Sequence, residues 1–146
     1  MEAYLDNSAT TRVDAQVQEL MKKLMDVDFG NPSSRHQKGV VAEGYIKEAR
    51  QKIAATLKVD PKEFIITSGG TESNNMALIG TALAAKRKGN HIITTAVEHP
   101  SVKATASFLE EQGFRITFLS VDSRGQISLE ELKEALTPDT ILVSIM

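Results

Sequence analysis

Residues 91–119, HIITTAVEHPSVKATASFLEEQGFRITFL, decide the fold of this 146-residue chain. The apolar run at residues 91–95 predicts a buried strand, and the alternating apolar side chains of residues 114–118 predict another. Between the two strands, Pro100 suits the first position of a helix and Gly113 suits its end. A strand, a helix and a second strand in this order predict two parallel strands joined by a crossover helix.

The same alternation continues on the N-terminal side. Residues 64–67 form a short apolar run that predicts a strand. Ser68, Gly69 and Gly70 separate this run from a helix that begins at about Thr71 and stops in a left-handed conformation at Gly89. The apolar spacing predicts that the inward face of this helix consists of Met76, Ile79 and Leu83.

The C-terminal side completes the pattern. A turn at residues 122–125 precedes a short helix, for which Ser128 and Glu131 have the spacing of a capping box. Residues 141–145 then predict one more buried strand. Because such a strand would leave an open apolar edge, we expect the sequence to be part of a longer chain.

Two amphipathic helices, at about residues 14–27 and 42–57, precede these units. The sequence therefore predicts an α/β protein with a largely parallel sheet and helices on both of its faces. In the predicted organisation, residues 1–15 form an extended segment. Residues 16–146 form the first, incomplete part of a larger domain.

Composition excludes several classes of protein. The chain is 41% hydrophobic and carries 17 basic and 19 acidic residues, for a net charge of −2. These values are typical of a folded domain, and no basic surface points to nucleic acid. No apolar run is long enough to span a membrane, and the acidic start does not resemble a signal peptide, so we expect a cytoplasmic protein. The chain has no cysteine; disulfides, thiolate metal sites and a cysteine nucleophile are therefore excluded within it, and no metal site is predicted.

Residues 67–75, TSGGTESNN, follow one predicted strand at the edge where α/β sheets bind ligands. Gly69 and Gly70 let the backbone approach a ligand, and the next helix offers free N–H groups to an anion, with the Thr71 hydroxyl as a further donor. A tight turn in which Ser68 or Thr71 caps the helix fits the same residues equally well.

Residues 98–102, EHPSV, follow the next strand. Histidine is a poor helix cap, so we expect His99 to face the ligand crevice, where an imidazole can stack on a flat cofactor and transfer protons. A hydrogen-bonded loop histidine is the alternative. The presence of two such motifs on successive strand–helix units favours a ligand site.

Four motifs in this order resemble the N-terminal part of NifS/IscS-type cysteine desulfurases, in the class V aminotransferase group of fold-type I pyridoxal-phosphate enzymes. The resemblance covers essentially the whole chain and implies the large domain of that fold. The motifs are YLDNSATT at residues 4–11, GNPSSRH at residues 30–36, TSGGTESN at residues 67–74 and EHP at residues 98–100.

The resemblance also implies site residues. Gly70 and Thr71 would bind the phosphate of pyridoxal 5'-phosphate, and His99 would stack on its ring and act as the catalytic proton carrier. Four other residues would lie near the substrate entrance or a dimer contact: Asn7, Ala9, Thr10 and His36. A structural turn explains residues 7–11 equally well, and a simple loop is the favoured interpretation of residues 31–34.

The implied reaction converts L-cysteine to L-alanine and transfers sulfur to an enzyme cysteine as a persulfide, for iron–sulfur cluster or thio-cofactor assembly. A sulfur acceptor or iron–sulfur scaffold protein and a homodimer are the implied partners. The family's cofactor-binding lysine and its cysteine lie beyond the matched region, so the chain alone is predicted to be inactive. Selenocysteine lyase or another class V carbon–sulfur lyase is the alternative enzyme. A non-catalytic module that binds a phosphorylated ligand, or an inactive fragment, is the alternative of a different class.

Overall fold

The computed structural model describes residues 3–146, which form two compact units, one ending at Ile65 and one spanning Ile66–Met146. The first unit contains α1 (Ala15–Asp26), α2 (Gln37–Leu57) and one turn of 3₁₀ helix (Pro61–Glu63). In chain order, the second unit contains α3 (Gly70–Ala85), β1 (His91–Thr95), α4 (Pro100–Glu111), β2 (Arg115–Leu119), α5 (Leu129–Ala135) and β3 (Thr140–Val143). None of these helices combines the length and apolarity that crossing a membrane requires.

The segment before α1 is irregular and contains one turn. Residues 7–9 form this turn, and the Ala9 N–H donates to the Asp6 carbonyl at 3.2 Å. Met1 and Glu2, which belong to the predicted extended segment, lie outside the described residues. The predicted boundary after residue 15 stays a prediction. Asp14 caps α1 by accepting from the Gln16 N–H at 2.8 Å, and no residue of α1 is buried.

The helix α2 begins five residues before its predicted start. His36 is its N-cap, with the ring Nδ1 accepting from the Gly39 N–H at 3.4 Å. Gly39 lies so close to the preceding loop that an added Cβ would be 2.1 Å from the Ser34 carbonyl oxygen. The chain can therefore fold back against the first turn of α2 only because residue 39 has no side chain.

A polar cluster joins α2 to the end of α1. The Tyr45 hydroxyl donates to the Asp28 carboxylate at 2.7 Å and accepts from the Lys23 ammonium at 2.8 Å. Lys23 also lies 3.4 Å from Asp28. The Tyr45 hydrogen bond, with the nearby ammonium, lowers the pKa of the Asp28 carboxyl, so Asp28 remains the charged acceptor of the cluster at neutral pH.

The second unit is built on a three-stranded parallel sheet of order β2-β1-β3. In the centre of the sheet, Ile92 pairs with Ile116 on one side and Leu142 on the other. The helices α3 and α4 pack on each other and on this face. These contacts confirm the predicted α/β fold with its parallel sheet. The hydrophobic cluster between these helices and the sheet consists of Leu78, Ala82, Ile92, Val102, Leu109 and Phe114.

The proline and the glycine that predicted the two ends of α4 lie where the sequence predicted them. Pro100 occupies the first turn, as predicted. Gly113 has a φ of +88°, and its N–H donates to the Glu110 carbonyl at 2.9 Å. The Phe114 N–H donates to the Leu109 carbonyl at 3.0 Å. This pair of bonds is a Schellman motif, and it delivers Phe114 to the core directly before β2.

The predicted strand at residues 64–67 is wrong. The segment is extended at Phe64 but pairs with no other described strand, and Ile65 and Ile66 are 60% and 51% exposed. A four-residue apolar run carries no information about a pairing partner, which a strand needs for its N–H and C=O groups.

The predictions for α3 also need correction. Its buried residues are Leu78 and Ala82, with Ile79 packed beside them, whereas Met76 and Leu83 are about half exposed. The helix ends at Ala85, and Gly89 is not left-handed. Gly89 instead meets the Asp139 carbonyl oxygen, which would be 2.2 Å from an added Cβ. Close backbone approach, and not helix termination, requires this glycine.

The predicted capping box of α5 and the predicted last strand are only partly formed. Ser128 caps α5 by accepting from the Glu131 N–H at 3.2 Å. The Glu131 carboxylate turns away from the cap and accepts from the Ser120 hydroxyl at 2.8 Å, so the capping box is half formed. The last strand is half-buried and ends at Val143.

His91 connects all three strands at the start of β1. Its side chain is fully buried, and its two ring nitrogens lie 2.8 Å from the hydroxyls of Thr140 and Thr117. Burial, with the Arg115 charge, lowers the pKa of His91, and Asp139 opposes this shift. The native state therefore keeps His91 neutral at pH values where an exposed histidine begins to bind a proton.

We expect the free energy of unfolding to fall as the pH drops below about 6.5, the ordinary pKa of histidine. Below that value the unfolded chain binds a proton that native His91 binds only at lower pH, so acid favours unfolding. Urea denaturation of the protein and of His91→Gln across this range measures the effect. The variant should show a smaller acid-induced loss, and equal losses would contradict this role of His91.

Candidate functional site

The N-terminus of α3 is open to a ligand. Gly69 is its N-cap, in an extended conformation, and no side chain caps the helix, so the alternative in which Ser68 or Thr71 caps it is wrong. The Ser73 N–H bonds to the Gly69 carbonyl at 3.1 Å. Within the described chain the preceding three N–H groups, of residues 70–72, have no acceptor. Helix geometry leaves these donors free for an anion.

Glu72 places a negative charge in the same turn, but its position is fixed. Its carboxylate accepts from both the backbone N–H and the hydroxyl of Ser68, each at 2.6 Å. These hydrogen bonds lower the pKa of the Glu72 carboxyl, so the group stays ionised at neutral pH. The carboxylate is held toward Ser68, which leaves the free N–H groups of Gly70 and Thr71 accessible.

His99 caps α4, contrary to the expectation that a histidine would not serve as a cap. Its Nδ1 accepts from the Ser101 N–H at 3.1 Å and lies 2.8 Å from the Ser101 hydroxyl. His99 as a whole is nevertheless exposed. One nitrogen of the imidazole thus serves the helix, and the other has no partner among the described residues.

The two motifs meet in a single cavity. It has a volume of about 300 Å³ and is lined by Gly70, Thr71, Asn74, His99 and Ser101. The Asn74 amide of α3 donates to the Ser101 hydroxyl of α4 at 2.9 Å, which ties the two walls together. The cavity combines the anion-binding end of a helix with an imidazole, an arrangement that can hold a phosphate and move a proton beside it.

The structure places the predicted entrance residues in the other unit. Asn7 and Ala9 lie in the turn before α1, Thr10 follows that turn, and His36 caps α2. Their predicted role at a substrate entrance or dimer contact stays a prediction, as do the roles of Gly70, Thr71 and His99 toward a cofactor.

Sequence reasoning missed Asn74 and Ser101 as lining residues. Both had a usable signal. Asn74 follows Thr71 by three residues, so the two share one face of α3. Ser101 follows His99 by two residues, the position whose N–H a cap accepts from.

Comparison with known proteins assigns the family. Residues 3–146 match the family model described as aminotransferase class-V. The chain belongs to the class V aminotransferase family. The cysteine desulfurase IscS of Dictyoglomus turgidum is 51% identical to this class V chain over 145 residues, which are 99% of the chain and 37% of that relative.

Solved structures give the same result. A NifS-like protein superposes on this class V chain with a TM-score of 0.95 at 43% identity, covering all of the chain and 40% of the solved structure. A structure of SspA in complex with cysteine superposes with a TM-score of 0.87 at 40% identity, covering 94% of the chain and 40% of the solved structure. The chain thus spans well under half the length of these relatives.

Proposed function

We propose that this chain is the N-terminal part of a pyridoxal-phosphate-dependent cysteine desulfurase. The observation that carries the proposal is the cavity shared by the N-terminus of α3 and His99. The desulfurase names of the relatives and the cysteine complex of SspA support the reaction and the substrate class. The proposed reaction converts L-cysteine to L-alanine and passes its sulfur to a thiol.

The residues of the cavity fit the phosphate of pyridoxal phosphate. The free N–H groups of Gly70 and Thr71 lie at the N-terminus of α3, which is the positive end of the helix dipole. The Thr71 hydroxyl has no partner among the residues described. A dianion gains from both features. The ionised Glu72 nearby opposes binding, and its two hydrogen bonds from Ser68 limit that cost.

His99 supplies the proton chemistry in this proposal. When bound, pyridoxal phosphate supplies an electron-withdrawing ring that stabilises negative charge on substrate carbon. Since Nδ1 accepts from Ser101, Nε2 is the ring nitrogen that can hold or move a proton near the substrate. An imidazole suits this role because it exchanges protons near neutral pH.

The proposed reaction also needs groups that these 146 residues do not contain. The chain has no cysteine, so the thiol that receives sulfur belongs to the remainder of the complete enzyme. A protein that accepts the persulfide sulfur, such as an iron–sulfur scaffold, and a second copy of the enzyme complete the assembly that we propose.

Binding of pyridoxal phosphate and formation of alanine from L-cysteine by the complete protein test the proposal. We expect Thr71→Val to weaken binding roughly tenfold, because a hydrogen bond to a charged oxygen is lost. Thr81→Val, the same change at an exposed position later in α3, should leave binding unchanged. Phosphate binding without alanine formation would favour a non-catalytic module, and binding unaffected by Thr71→Val would remove the proposed phosphate site.

A further inference from the structure

The hydrogen bonds around His99 continue beyond the cavity wall and select one protonation form of its ring. We propose that Asn74 and Ser101 are positioning residues that hold His99 as the tautomer with its proton on Nε2. The expected effect of this tautomer on catalysis rests on the proposed function. Its structural content, the tautomer, can be measured without any cofactor.

The direction of the hydrogen bonds follows from which atoms can donate. The Ser101 backbone N–H can only donate, and it lies 3.1 Å from His99 Nδ1, so Nδ1 is an acceptor and carries no proton. The Ser101 hydroxyl, 2.8 Å from Nδ1, must then donate its hydrogen to the same atom. A neutral imidazole with an unprotonated Nδ1 has its proton on Nε2.

Asn74 completes this chain of donors. Its amide nitrogen lies 2.9 Å from the Ser101 oxygen, and an amide NH₂ group only donates. By filling a lone pair of the Ser101 oxygen, it directs the hydroxyl hydrogen toward His99. Ser101 is 8% exposed, so little water competes for this oxygen, and the hydrogen bonds are correspondingly stronger.

The chain also couples the ring to the anion-binding helix. Asn74 lies one turn after Thr71 on α3, and Ser101 lies in the first turn of α4. Two hydrogen bonds therefore connect α3 to His99, one from Asn74 to Ser101 and one between Ser101 and His99. Because Asn74 and Ser101 connect α3 to α4, they fix the position of the proposed proton carrier relative to the proposed phosphate site.

A neighbouring bond provides a matched control. The Thr105 hydroxyl, one turn after Ser101, is 2.8 Å from the Asn75 oxygen and 2.7 Å from the Ser101 carbonyl. It ties α4 to α3 in the same way as the pair Ser101 and Asn74, and it is also buried. It makes no hydrogen bond to His99. Thr105→Val therefore removes one hydrogen bond between α4 and α3 and leaves the hydrogen bonds to the imidazole in place.

The test is the ¹⁵N NMR spectrum of the histidine rings in the complete, cofactor-free protein, recorded at about pH 9, where an ordinary histidine is neutral. His99 is assigned by its loss in a His99→Asn sample. We expect unmodified His99 to show the Nε2–H form. Ser101→Ala should move the tautomer ratio toward Nδ1–H by about fivefold, the effect of one lost neutral hydrogen bond. Ser101→Thr, which keeps the hydroxyl, should show the same tautomer ratio as the unmodified protein.

Asn74→Asp gives a second, opposite perturbation. A carboxylate accepts where the amide donated, so the Ser101 hydroxyl should turn away from His99, and the Nδ1–H form should gain more than in Ser101→Ala. Thr105→Val should leave the ratio unchanged. A ratio that Ser101→Ala and Asn74→Asp do not move, or that Thr105→Val moves equally, would overturn the inference.

Turnover separates this inference from the proposed function. In the loaded enzyme, Ser101→Ala should lower kcat by up to about fivefold while KM stays within twofold, because the share of rings in the Nε2–H form falls by no more than the tautomer ratio and substrate binding is untouched. Thr105→Val should keep kcat. A complete protein that binds no pyridoxal phosphate would refute the proposed function and leave the tautomer result standing. A normal kcat in Ser101→Ala, with desulfurase activity present, would refute only the positioning role.

Discussion

His99→Ala in the complete enzyme is expected to lower kcat for alanine formation from L-cysteine by at least about a hundredfold, the usual contribution of a general acid–base group. Pyridoxal phosphate should remain bound, because the proposed phosphate site at Gly70 and Thr71 is unchanged. Steady-state kinetics on protein of known cofactor content measures the effect. Wild-type turnover in this variant would exclude His99 as the proton carrier.

The helix cap at His99 requires a second variant. Alanine at residue 99 removes the bond from the Ser101 N–H, which costs about 1 kcal/mol of stability. His99→Asn keeps a capping acceptor and removes the imidazole. We expect this variant to melt like the parent and to be as slow as His99→Ala. Recovery of turnover with asparagine would show that residue 99 acts only as a cap.

Gly39→Ala is expected to destabilise the first unit strongly. The new Cβ would lie 2.1 Å from the Ser34 carbonyl oxygen and 2.8 Å from that of Asn31. Both contacts are with backbone, so the loop must move away from α2, at a cost of about 3 kcal/mol. Chemical denaturation of the variant protein measures this loss.

Gly44→Ala is the matched control for that change. Gly44 lies in the same helix, and an added Cβ there meets nothing within 4 Å. Alanine should increase the free energy of unfolding by about 0.5–1 kcal/mol, because a helical glycine loses more backbone entropy on folding. Equal effects of the two substitutions would show that the loop does not press on Gly39.

The elements that the sequence predicted correctly have signals within a few residues. β1 is a compact apolar run, and α4 carries proline at its start and a left-handed glycine after its end. The parallel sheet followed because apolar strands alternate with helices. For such elements, local backbone preference and burial point to the same structure.

The predictions that failed depended on contacts distant in sequence. Residues 64–67 are as apolar as a strand, but pairing is decided by where other strands lie. The inward face of α3 is set by its contacts with both α4 and β3, which rotate the buried stripe to Leu78 and Ala82. Glycine is a common residue just after a helix, but the close approach of the Asp139 carbonyl is what requires glycine at position 89.

Part of the candidate site could be predicted for a simple reason. In successive strand–helix units the helix starts meet at one edge of a sheet, so residues 70–71 and His99 were expected to be close. They do line one cavity, although residues 64–67 form no strand of the sheet. The link through Asn74 and Ser101 depends on how two helices pack, which no spacing in the sequence encodes. Its geometry appears only when the helices are assembled.

The hydrogen-bonded phenol of Tyr45 makes the first unit optically distinguishable. The chain has two tyrosines, Tyr4 and Tyr45, and no tryptophan, and both tyrosines precede Ile66. Emission excited at the phenol band therefore comes entirely from the first unit, whereas the far-ultraviolet dichroism of this chain sums the helices of both. Loss of the Asp28 acceptor on melting should change that emission, so a fluorescence trace set against a dichroism trace would reveal whether the two units unfold together.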